Sequence, residues 1–166
     1  MIMISNAGDL AQIVTAAIAF IGALIAAVSI LNQRNIARRR AAIDFFHRTQ
    51  MDATGIELYN DFRRIAPGIA AVTSMESFVA TPEHSRVRAF LNVCELISVA
   101  INENVFSERV AYAYWGDVLP WSFQAAEPLI QYVRQRPGEG TPSTYRDLER
   151  VARLWAGRNE IGRAHV

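Results

Sequence analysis

Asn92 and Glu95 stand three residues apart in the stretch Leu91-Asn92-Val93-Cys94-Glu95-Leu96-Ile97-Ser98. On a helix that spacing places amide and carboxylate on one face, at the edge of the apolar stripe around them. A partly buried carboxylate is costly unless a cation or a hydrogen-bond donor meets it. Glu95 is therefore expected to act, with Asn92, as a structural strut between two helices. The rival reading makes Glu95 part of a ligand or catalytic site with an arginine partner, and it requires a carboxylate open to solvent. Cys94 falls on the apolar stripe and behaves as a small hydrophobe rather than a nucleophile. As the single cysteine it cannot form an internal disulfide, which fits a reducing compartment. His47, His84 and His165 have no neighbour at metal-ligand spacing, and no His-x-x-x-His, Glu-x-x-His or Cys-x-x-Cys occurs. Gly-x-Ser-x-Gly and glycine-rich phosphate loops are absent as well. The expectation is a protein with no metal, no cofactor and no catalytic constellation.

What must position these residues is set by a different stretch. Leu10 to Leu31 contains no charged residue and no proline, and only Gln12, Thr15 and Ser29 are polar. A helix needs about 20 mostly apolar residues to cross a hydrocarbon core, so this run reads as one transmembrane helix. A cleavable signal peptide would carry basic residues before a shorter core. Here the arginines follow the run: Arg34, Arg38, Arg39, Arg40 and Arg48 face Asp44 alone. Positive flanks stay cytoplasmic, which places the N-terminus outside and the remainder in the cytoplasm. Arg34, Arg38, Arg39 and Arg40 then fix topology or meet lipid headgroups. Within the run, Thr15, Ala19, Ala23 and Ala27 recur every fourth residue, with Gly22 and Ala26 alongside. Small side chains at that spacing let helix backbones approach closely in lipid.

All 17 basic residues are arginine, a sign of GC-rich coding and so of a bacterial source; with the span, that makes the expected location the bacterial inner membrane. A formal net charge of +1 gives no basic surface for nucleic acid. No stretch alternates with period two long enough for a strand, so the fold class is all-α. One transmembrane helix continues into a juxtamembrane helix and is followed by a small cytoplasmic helical bundle. The expected boundaries are a short exterior segment 1–9, the span 10–31, the juxtamembrane helix 32–66, the helical domain 67–157 and a flexible tail 158–166. Pro67-Gly68 should end or kink the juxtamembrane helix. Thr81-Pro82-Glu83 is a helix start, with Val87, Phe90, Leu91, Cys94, Ile97, Ser98 and Ile101 as the buried stripe behind it. Asn102-Glu103-Asn104 should stop that helix and Ser107 should cap the next. Pro120 and Pro128 should kink or split the region they bracket, and Gly157 should close the last helix. Trp115, Trp121 and Trp155 are expected to serve mainly as core.

The order of these features resembles a bacterial family of single-span, membrane-anchored helical proteins of unknown function. The resemblance rests on the Asn-x-x-Glu pair at Asn92 and Glu95, the Trp115 helix and the closing Val151-x-x-x-Trp155. Where that family usually has a basic residue after the Asn-Glu helix, Asn102-Glu103-Asn104 stands here, so no anion site is implied there. The resemblance implies an anchored helical module and no reaction. The functional expectation is a non-catalytic interaction module: an accessory or assembly subunit of a larger membrane complex, or a self-associating scaffold. Its partners would be membrane lipids and a protein, or a second copy, met through the span. An anchored effector or enzyme built around Glu95 is the alternative. A channel ranks last, because the span has no polar stripe to line a pore.

Overall fold

The structure is a computed structural model that describes residues 7–136 and 138–164. Most of the expected exterior segment, residues 1–6, lies outside the described residues, as do the last two residues of the expected tail. Seven helices occur among the described residues, with no strand: α1 (Ala7–Met51), α2 (Ala53–Ile69), α3 (Met75–Val79), α4 (Pro82–Asn102), α5 (Glu108–Trp115), α6 (Val118–Gln135) and α7 (Arg146–Ala164). The chain forms two compact units, Met1–Ala37 and Arg38–Val166.

In the first unit the described residues are the N-terminal part of α1. Its apolar side chains from Leu10 to Leu31 are all exposed, and the helix is long and apolar enough to cross a membrane.

The second unit begins at Arg38, well before the expected domain start, because the end of α1 contributes core. Ala42 and Phe46 are fully buried. The Phe46 ring meets Phe106, Tyr114 and Trp115 at centroid distances of 5.8, 5.4 and 6.2 Å. α2 and α6 pack on each other, α4 packs on α2 and α7, and α6 packs on α7. Phe62 from α2 sits 4.7 Å from Phe90 of α4 and edge-on to Trp121 of α6. The whole α4 stripe from Val87 to Ile101 is buried, as its 3.6-residue spacing requires. Trp155 is fully buried and Trp115 nearly so, while Trp121 packs partly buried against the core.

Several boundaries differ from the sequence expectation. The juxtamembrane helix is interrupted at Asp52, which is extended (φ −82°, ψ 121°) and caps α2 by accepting from the Gly55 amide at 3.3 Å. Neither proline nor glycine marks that break. Pro67 lies inside α2 rather than ending it; one ladder bond is lost, and the last turn is held by buried Ala66 and Ile69. α5 and α6 part at Gly116-Asp117. Pro120 falls in the first turn of α6, where an amide has no partner within the helix to lose, and α6 continues through Pro128. Ser107 holds the cap position of α5, but through its backbone: its carbonyl accepts from the Val110 and Ala111 amides. α7 runs past Gly157 to Ala164 instead of closing there.

Gly55 sets how closely the end of α1 and the start of α2 approach. A Cβ there would stand 2.6 Å from the Thr49 carbonyl oxygen, a contact that backbone must move to relieve. Gly55→Ala should therefore destabilise the fold by about 1–3 kcal/mol despite the better helix propensity of alanine. Denaturant unfolding of the detergent-solubilised chain checks this, and an unchanged or raised midpoint would contradict it.

Candidate functional site

A polar cluster of the second unit joins α4, the end of α6 and the start of α7, and Glu95 is its centre. α7 opens without a side-chain cap of its own. Ser143 and Thr144, the residues suited to that task, precede the turn, and the residue before Arg146 is Tyr145. Tyr145 has φ +58°, a left-handed conformation that costs a bulky side chain about 1–2 kcal/mol. Its ring is buried, and its hydroxyl donates to Asn92 Oδ1 at 3.0 Å. Glu95 supplies what α7 lacks. Its Oε2 accepts from the Leu148 amide at 2.8 Å and its Oε1 from the Asp147 amide at 3.4 Å. A carboxylate at a helix N-terminus also meets the positive end of the helix dipole. Two turns further along α4, Asn102 Nδ2 donates to Asp147 Oδ1 at 2.6 Å.

Arg134 closes the cluster from α6. Its side chain is 13% exposed, and it donates from Nε to the Thr144 carbonyl and from Nη1 to Glu149 Oε2, both at 2.8 Å. That hydrogen bond, with help from Arg153, holds the Glu149 carboxyl below its ordinary range. Sequence reasoning missed Arg134, Tyr145 and Asn102. Arg134 reaches partners ten and fifteen residues away across an irregular loop, and no local spacing signals that.

The electrostatics follow from burial. Glu95 is half-buried, and desolvation pushes its carboxyl above the ordinary 4.5, with the Leu148 and Asp147 amides opposing the rise. Burial likewise raises the Tyr145 hydroxyl. It pushes the Cys94 thiol so far up that the thiolate is not available near neutral pH. It lowers His84, whose ring sits edge-on to Phe78, so that the neutral imidazole is favoured. His47 is exposed, and His165 lies outside the described residues. Among the described residues no three metal-ligating side chains cluster.

The other sequence-derived positions do not converge on this cluster. Thr15, Ala19, Gly22, Ala23, Ala26 and Ala27 are all exposed on α1, with the Thr15 hydroxyl bonded back to the Ala11 carbonyl at 2.8 Å. Arg34, Arg39 and Arg40 are exposed. Arg38 has a different task from its neighbours: its Nη2 donates to Asn104 Oδ1 at 2.9 Å and to the Phe106 carbonyl at 3.3 Å, pinning the α4–α5 loop. A separate open groove of about 720 Å³ lies between α2, α6 and α7, where Arg63 stacks over Tyr59 near Trp121 and Asn159. Asn159 is already engaged there with the Gly116 carbonyl and Asp117.

Comparison with protein families matches residues 16–155 to a domain of unknown function, DUF4760. The chain belongs to the DUF4760 family. Comparisons with curated proteins and with solved structures found no match. The DUF4760 stretch opens inside the apolar run of α1 and closes at Trp155. It therefore takes in Arg38, the Asn92–Glu95 pair and the start of α7.

In this DUF4760 chain Glu95→Ala should lower stability by about 1–3 kcal/mol, the cost of leaving two amides of α7 unmet. Its charge has a separate signature. A carboxyl whose pKa is raised on folding binds its proton more tightly in the folded state. Its contribution is thus fullest below the unfolded value near 4.5 and declines as pH rises through the folded value. Relative to Glu95→Gln, the wild type should lose stability from about pH 4.5 toward neutrality. Urea midpoints across that range test it, and parallel curves for the two proteins would contradict it.

Proposed function

We propose that this protein is a non-catalytic, membrane-anchored interaction module: an accessory or assembly subunit of a larger membrane complex, or a self-associating scaffold. The observation that carries the reading is the uniform exposure of the apolar side chains of α1 from Leu10 to Leu31. Such a surface is costly in water and at home in lipid. The arginine-rich flank that follows supports a bacterial inner-membrane placement with the N-terminus outside and the second unit in the cytoplasm. Thr15, Ala19, Ala23 and Ala27, with Gly22 and Ala26, offer a close-packing face to another helix.

The catalytic alternative asks for a Glu95 carboxylate that is free to act. Both of its oxygens are engaged by the first turn of α7, and the arginine of the cluster is committed to Thr144 and Glu149. These engagements favour the structural reading of Glu95.

Gentle detergent extraction from the native membrane, followed by native mass measurement, tests the proposal. The expected species is a complex heavier than the monomer, and Ala19→Leu with Ala23→Leu should shift it toward monomer. A wild-type monomer, or an unchanged complex in the double variant, would count against association through α1.

A further inference from the structure

We propose that the groove between α2 and the α5–α6 corner binds a zwitterionic amphiphile: a single apolar chain behind a phosphate and an ammonium group. The groove lies wholly within the second unit and has two ends. The apolar end, of about 300 Å³, is lined by Ile56, Tyr114 and Trp115. The wider end, of about 720 Å³, carries Arg63, Asp117 and Trp121. Tyr59 and Val118 line both, so the two ends adjoin. Volumes of this size are those of small-molecule sites, which combine apolar walls with a few placed polar groups. Ile56 and Tyr114 are 48% and 46% exposed, apolar surface that a bound chain would take out of water.

Charge selects the headgroup. Arg63 on α2 and Asp117 at the start of α6 both line the wider end, and among the described residues neither forms an ion pair, with the other or with any third group. The Arg63 guanidinium lies 5.7 Å over the Tyr59 ring, which sets it where the two ends meet. Asp117 accepts from Asn159 Nδ2 on Oδ1 at 3.1 Å and does not cap α6 with its side chain. A guanidinium pairs with a phosphate, and a carboxylate accepts from an ammonium. A purely anionic head would be repelled by Asp117 and a purely cationic one by Arg63; a zwitterion satisfies both. The partly exposed Trp121 beside them adds an aromatic face for the ammonium. One acyl chain holds a molecule to a lipid phase only reversibly, so such a ligand reaches the groove through water, whichever way the unit faces.

The test uses the full chain in micelles of dodecyl maltoside, an uncharged host, and two photoreactive probes with a diazirine in the same acyl chain. One is lysophosphatidylethanolamine; the other is lysophosphatidylglycerol, which keeps the phosphate and lacks the ammonium. After illumination, peptide mapping should find lysophosphatidylethanolamine adducts around Ile56, Tyr114 and Val118, several-fold above those of lysophosphatidylglycerol. Asp117→Asn, which retains an acceptor for Asn159, should bring the first probe down to the level of the second. Arg63→Gln should lower both several-fold, and Arg63→Lys should restore much of the loss. The comparison of heads in the wild type needs no variant, so a variant that fails to fold leaves it decisive. A groove without adducts, the behaviour of a surface kept for a protein segment, would overturn the proposal. Equal adducts from both heads that ignore Arg63 and Asp117, the mark of passive contact with micelle tails, would overturn it as well.

Discussion

The folded unit depends on a helix that is shared between two tasks. α1 displays an uncovered apolar surface up to Leu31, and the same helix delivers Ala42 and Phe46 to the core. Phe46 fills the space bounded by Phe106, Tyr114 and Trp115, so it joins the α4–α5 loop to α5. Removing a fully buried phenylalanine from such a site costs about 3–5 kcal/mol, a large share of the stability of a small domain. Arg38 adds a polar tie to the same loop. The segment behind the apolar run is therefore part of the domain and not a spacer in front of it.

Glu95 solves a second problem, that of starting α7. The loop before it ends in a left-handed tyrosine, which cannot offer the short side chain that normally caps a helix. A carboxylate from a neighbouring helix takes that place, and Asn92, Asn102 and Arg134 hold the surrounding turn. The polar groups of this cluster thus answer one another. That is the arrangement expected where polarity fixes geometry, in contrast to sites that hold a group in readiness for a ligand.

What the sequence made legible was governed by local rules. The all-α class, the α4 stripe, the Thr81 cap with Pro82 behind it and the long apolar helix all follow from periodicity and cap chemistry. Membership of a family of unknown function was also visible in the order of features. The break at Asp52 was not legible, because one extended aspartate among helix formers leaves no mark in composition. Pro120 misled because proline disrupts a helix interior and not a first turn. The roles of Arg38, Arg134 and Tyr145 depend on contacts distant in sequence, which no spacing encodes. Asn92 and Glu95 stood out as polar groups beside a core, yet their partners, a tyrosine hydroxyl and two backbone amides, became identifiable only in three dimensions.

The most direct measurement compares two fragments that both lack the apolar run: one starting at Arg38, the other at Asp52. Thermal melting followed by circular dichroism reads the outcome. If the end of α1 is a structural part of the domain, the fragment from Arg38 melts cooperatively, and the one from Asp52 is unfolded or melts without cooperativity. Equal, cooperative melting of the two fragments would contradict the account.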